Sequence, residues 1–193
     1  MMFKRALKLT LIGLLLLTLS GCSSSNSQRQ TSQSSTNSPV KQNQPKNIFT
    51  AKVGLTQAVE LFNQKQPNAT LLQVTLQQEH HTYTYHLIGR VHQRFIKMTV
   101  SAMQPNTAKV THQASSSTLK NAEPLNLTGV KSLKIMNMIA HNQVKDGKLL
   151  RYTLGKANSV TYYDLTLKSP SVGTVQLRLD AKAGDILQRN QLH

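Results

Sequence analysis

One cysteine, no tryptophan and seven carboxylates are all that this 193-residue sequence has of three chemically useful residue types. A single thiol excludes any disulfide within the chain. The carboxylates are Glu60, Glu79, Glu123, Asp146, Asp164, Asp180 and Asp185. None forms an evident acid/base pair, and Asp146, Asp180 and Asp185 stand in turn contexts. The serine tracts Ser23–Ser25 and Ser115–Ser117 lack the glycine-flanked elbow of a serine hydrolase, and no glycine-rich phosphate loop occurs. The expectation is a non-enzyme, with no catalytic residue, no metal and no cofactor.

Aromatic residues make up 5% of the chain and hydrophobic residues 38%, many of the latter in the first twenty positions. A fold built from the remainder has a lean core, so two small units would each be marginally stable alone. What the sequence has in excess is positive charge: 23 Lys and Arg give a formal net charge of +16. Such an excess bears on partners and solubility rather than on fold. The basic residues are spread out, without a dense run or interleaved aromatics, and no nucleic-acid motif occurs.

The cysteine explains itself by position. Lys4, Arg5 and Lys8 form a positive start, and Leu9–Leu19 is a leucine-dominated apolar run. The run is too short for a comfortable membrane span, which needs about 20 apolar residues. This is the layout of an export signal. It ends in Leu19-Ser20-Gly21-Cys22, which resembles the bacterial lipobox. Small side chains at Ser20 and Gly21 let the backbone lie extended in a signal peptidase, and the Cys22 thiol accepts a diacylglyceryl group. Two acyl chains anchor stably because each buried methylene contributes about 0.8 kcal/mol. Residues 1–21 are therefore read as a cleaved lipoprotein signal. Cys22 is the lipidation site at a cell membrane, on its extracytoplasmic face. Loss of Lys4, Arg5 and Lys8 with the leader lowers the mature charge by three, to +13.

Residues 22–46 are Ser-, Gln-, Asn- and Thr-rich, with Pro39 and Pro45, and read as a lipidated, disordered tether. After it, Leu55, Ala58, Val59 and Phe62 fall at helical spacing, with Thr56 as N-cap and Pro67 closing the segment. Extended stretches follow at Thr70–Leu76, Thr82–Ile88, Arg94–Ala102 and Ala108–His112. The order then recurs. Val130, Leu133, Met136, Ala140 and Val144 make a helical stripe ended by Asp146-Gly147, before strands over Leu149–Leu154, Ser159–Leu167, Thr174–Leu179 and Asp185–Arg189. At an offset of 78 residues Leu71-Leu72 meets Leu149-Leu150, Thr75-Leu76 meets Thr153-Leu154, and Tyr85 meets Tyr163. The sequence predicts an α+β chain of two tandem repeats, each one helix packed on a three- to four-stranded antiparallel sheet. They occupy residues 47–114 and 125–193, joined by a linker over 115–124.

The second repeat closes with Leu179-Asp180-Ala181-Lys182-Ala183-Gly184-Asp185-Ile186-Leu187. Together with Tyr162-Tyr163 and the alternating Leu165 and Leu167, this segment resembles the PepSY domain, which ends in a strand, an Asp-Ala pair, a glycine turn and a short strand. In such a structural turn Asp180 accepts backbone N–H bonds and Gly184 supplies a positive φ. Ala183 stands where the family usually has Thr or Ser, and the first repeat has Ser101-Ala102 and Asn106 in place of the Asp-Ala and glycine. The resemblance implies a β-lactamase-inhibitor-like plan and a non-catalytic module that binds or regulates an extracytoplasmic peptidase or other envelope protein. The alternative is a wall-associated structural lipoprotein whose basic surface holds an anionic envelope polymer; nucleic acid is not an expected partner.

Among the histidines, His80 and His81 are neighbours that a strand would point to opposite faces, and His86 or His92 could approach one of them across a hairpin. A zinc or copper site would need three or four converging ligands. The plainer reading is a hairpin tip with exposed imidazoles. The lipobox reading has a direct test: Cys22→Ala should abolish incorporation of labelled palmitate and move the protein out of the membrane fraction. Retention of either property by the variant would refute it.

Overall fold

The computed structural model describes residues 47–113, 119 and 121–192. The first element is a short 3-10 turn, Ile48–Thr50, which buries Ile48. It leads into α1 (Leu55–Lys65), whose Ala58 and Phe62 lie one turn apart and are buried. The N-cap is Gly54, without a side-chain cap, so the expected cap Thr56 lies inside the helix. The helix stops at Gln66, directly before Pro67, because a proline disfavours helical backbone in the residue preceding it. Strands β1 (Thr70–Glu79), β2 (Thr82–Val91), β3 (Arg94–Ser101) and β4 (Gln104–Gln113) follow. Helix α2 (Leu133–Gln143) opens on Ser132, whose hydroxyl accepts from the Ile135 N–H, and buries Met136 and Ala140. Strands β5 (Lys148–Ala157), β6 (Val160–Ser169), β7 (Gly173–Asp180) and β8 (Ile186–Leu192) complete the order.

These strands form one eight-stranded antiparallel sheet in the order β4-β3-β2-β1-β5-β6-β7-β8. This overturns the expected fold class of two separate helix-on-sheet repeats: the described residues are mostly β, with two α-helices on a single sheet. The reason lies at β1 and β5. Each would be an open edge if its repeat folded alone, with a row of unsatisfied backbone groups. Instead they pair with each other, Gln73 opposite Gly155 through Gln77 opposite Arg151. At the middle of this ladder Thr75 faces Thr153, a residue 78 positions later, and their buried hydroxyls share a 2.9 Å hydrogen bond. The offset seen in the sequence is therefore a local twofold relation inside one sheet.

Both helices contribute to one continuous core, in which Phe62, Met136, Tyr163 and Leu165 are fully buried. Each helix is steered onto the sheet by the segment before it. Lys52 and Val53 donate their N–H groups to Ala102 O, and Lys131 donates to Ala181 O. Both alanines have no exposed surface. The β1–β2 and β5–β6 hairpins turn on His80-His81 and Asn158-Ser159, all four with positive φ, as a tight two-residue hairpin requires.

Phe62 lies against Gly89 on β2, where any Cβ would collide with its ring. Phe62→Ala should empty this contact and cost about 3–5 kcal/mol of stability. Urea unfolding of the variant measures the loss; a value below about 1 kcal/mol would remove Phe62 from the centre of the core.

Candidate functional site

Period-two alternation gives the sheet two unlike faces. On β7, Val175, Leu177 and Leu179 enter the core under the helices, while Gln176 and Arg178 point to the opposite side. One end of that opposite face is covered by the connector between the halves. Leu119 is buried there with Leu72 and Phe95. Leu125 N–H then donates to Leu71 O (2.8 Å), beside the bulge between Leu71 and Gln73, where the β1–β5 ladder has ended. Glu123 fastens the same crossing to the β5–β6 hairpin, accepting from Ser159 N–H (2.8 Å) and pairing with Lys156 (3.2 Å).

Beyond the connector the face is polar. Asp164 holds Arg178 through two hydrogen bonds, Nε–Oδ1 at 2.7 Å and Nη2–Oδ2 at 2.8 Å. The same guanidinium lies 4.2 Å from the centre of the Tyr162 ring. This fixes a planar cation and its carboxylate as one rigid unit. Arg151 lies beside it on β5 and has a different environment: its guanidinium contacts the Thr153 hydroxyl at 3.5 Å. A groove of about 370 Å³ runs over these residues, with Gln73, Gln176, Gln188 and Asn190 in its walls.

On the neighbouring strands His86 donates from Nε2 to Glu79 Oε1 (2.7 Å), which also accepts from the Gln77 amide (2.7 Å). This bond leaves His86 Nδ1 as the acceptor nitrogen, and that atom is buried without a partner. Burial, then the Lys97 charge, hold the His86 ring below its ordinary pKa, against the pull of Glu79; Arg151 adds to the depression. Burial alone would raise Glu79, but the Gln77 hydrogen bond, His86 and Lys97 outweigh it and keep the carboxyl below its usual range. At neutral pH the pair is a neutral imidazole on a carboxylate.

The helix-covered face has its own opening, about 420 Å³, between the starts of α1 and α2, with Tyr85, Tyr152 and Tyr163 in its floor. Tyr163 donates its hydroxyl to Lys131 O (3.2 Å), and its ring meets Tyr152 edge-on at 5.7 Å. Burial pushes Tyr163 up to about 12 and Tyr152 well above the ordinary phenol value. These are protonated structural hydroxyls at neutral pH, not activated nucleophiles.

The residues singled out in the sequence are dispersed. Cys22 and the flanking Leu19, Ser20 and Gly21 lie outside the described residues, as does the tether. Asp180 Oδ1 accepts from the N–H groups of Lys182 (2.7 Å) and Ala183 (2.8 Å), and Gly184 has φ +92. Asp146 bonds the Ser169 hydroxyl and Ser171 N–H, which lowers its pKa to about 2. His80, His81 and His92 sit exposed in turns with positive φ. His86 departs from the expected exposed imidazole, being central on β2 and 8% exposed. Among the described residues no three His, Cys, Asp or Glu side chains converge as metal ligands. Sequence reading passed over Arg151 and the groove amides; the only signal for Arg151 was the alternation that sets it and Thr153 on the face away from Tyr152 and Leu154.

The His86 pair predicts the acid limit of stability. The folded ring binds its proton below the unfolded value of about 6.5, so the unfolded state takes up protons first as pH falls through that value. Stability present above pH 6.5 is lost below it, and Glu79 adds loss in the same direction below about 4.5. Melting temperature should therefore drop between pH 7.5 and 5.5, and drop less in His86→Gln. An unchanged drop in the variant would refute this assignment.

No family model matches the chain, so the PepSY resemblance stays an expectation from the closing segment. No curated protein matches it either. Among solved structures, a candidate lipoprotein of Clostridium difficile 630 shares the fold at TM-score 0.62 and 19% identity, over 73% of this chain and 94% of that one. Among the described residues, no helix is long and apolar enough to cross a membrane.

Proposed function

We propose that this chain is a lipid-anchored, non-catalytic binding module that works on the extracytoplasmic side of a bacterial membrane through the open face of its sheet. The anchor is Cys22 and the tether is residues 22–46, read from the lipobox and the composition. The likeness in fold to a candidate lipoprotein is in keeping with this reading. The observation that carries it is the contrast between the two faces. One is covered by the two helices, apart from the tyrosine-floored opening between their starts, and the other displays Arg151, Lys97 and the amide side chains around the groove. Large polar surfaces suit contact, and the candidate reactive groups are engaged: the tyrosines are buried and protonated, and Asp164 and Glu79 are held in hydrogen bonds.

Two partners are compatible with this role. A peptidase or other envelope protein follows from the PepSY resemblance, and the edge strand β8, with Ile186, Leu187 and Leu192 exposed, is suited to strand addition. An anionic envelope polymer is favoured by the cationic, polar character of the groove itself. Crosslinking of the anchored protein in intact cells, alongside retention on purified wall polymer, separates them. One stoichiometric protein partner supports the first, and salt-sensitive retention supports the second. Failure of both would defeat the binding-module reading, as would turnover on peptide or ester libraries.

A further inference from the structure

We infer that the groove around Arg151 is a recognition site for an acidic saccharide chain, with the guanidinium taking a carboxylate and the surrounding amides taking hydroxyls. The inference rests on the open face being the binding surface and names the ligand chemistry of that face.

The groove holds two guanidinium groups and one carboxylate. Asp164 is committed to Arg178 through both of its oxygens, and Arg178 is further held by the Tyr162 ring. Arg151 is left with a long contact to a neutral hydroxyl at 3.5 Å. A planar guanidinium in this setting matches a carboxylate through two parallel N–H bonds. The positive charge at the site thus belongs to Arg151, and its position in the middle strands sets where an anion would lie.

The walls decide what surrounds that anion. Gln73 on β1, Gln176 on β7, and Gln188 and Asn190 on β8 carry their amides into the groove, and none of these amides has a hydrogen bond to a described residue. Each amide offers both a donor and an acceptor, and each sugar hydroxyl can both accept and donate in return. A peptide would find a poorer fit. The backbone of the inner strands is already paired on both sides, which excludes strand addition on this face. The apolar residues beneath, Leu165 and Leu177, are closed into the core and give no side-chain pocket. A bare polyphosphate would use the cation and leave four amides idle. A chain of sugars carrying carboxylates uses both.

The experiment uses the lipid-modified full chain in detergent micelles and a uronic-acid octasaccharide as probe, with binding followed by calorimetry. The wild-type protein should bind this probe and lose at least tenfold in affinity when the probe's carboxylates are reduced to alcohols. Arg151→Gln should lose a similar factor for the acidic probe and little for the reduced one. Gln176→Ala combined with Gln188→Ala should weaken both. Lys134→Gln, on the exposed side of α2, removes the same charge elsewhere and should leave binding unchanged; unaltered melting temperatures show that the variants fold. Equal binding to poly-glutamate of matched charge, or equal losses in Arg151→Gln and Lys134→Gln, would overturn the inference as general electrostatics. Absence of octasaccharide binding, with a partner still crosslinked in cells through this face, would overturn the saccharide assignment and leave the binding module intact. Absence of both would overturn the two together.

Discussion

The architecture depends on the five-residue ladder between β1 and β5, with the hydroxyls of Thr75 and Thr153 joined at its centre. Without it each half would present a buried-type strand as an edge, and Val74, Leu76, Tyr152 and Leu154 would lose the common core that covers them. With it, eight strands share one twist and both helices must pack on the same side. A buried hydroxyl pair is worth little as net stabilisation, on the order of 1 kcal/mol. Its larger effect is on register. A slip by one residue would turn the apolar row into solvent and bury Gln73, Gln77 and Arg151.

The one-sided placement of the helices makes the other face available. That face is backed by a closed apolar layer and carries the polar pairs Asp164–Arg178 and Glu79–His86. Neutrality of His86 fits the same picture. Lys97 and Arg151 already supply positive charge nearby, and burial makes a further cation on the ring unfavourable. Among the described residues the connector covers one end, where Leu119 rests on Leu72 and Phe95 and where the β1–β5 ladder has ended.

Much of the local structure was legible in the sequence. Helix α1 followed from Leu55, Ala58 and Phe62, and its end from Pro67; the eight strand positions followed from Val, Thr, Tyr and Leu patterning. The Thr56 cap was misplaced because the helix begins on Gly54, which makes no side-chain cap bond and so carries none of the signature that a capping side chain gives. The exposed histidine reading failed for His86, since alternation identifies the two faces of a strand but not how deeply the polar one lies under its neighbours. The groove was not legible at all. Gln73, Arg151, Gln176 and Asn190 are scattered over 118 positions in sequence and share no spacing.

By itself the sequence determined what is local: the lipobox expectation at Cys22, the polar composition of residues 22–46, the helix and strand positions, and the repeat at 78 residues. Hydrophobic period, turn residues and short motifs act between near neighbours, so one chain in isolation displays them. Only the tertiary structure decided that the two halves are one sheet, because strand pairing is a choice among edges distant in sequence and the pattern of either half permits closure alone. That same choice placed Thr75 against Thr153, set both helices on one side, and brought Arg151 among amides from three other strands. Their proximity comes from the ladder, which no spacing of residues encodes.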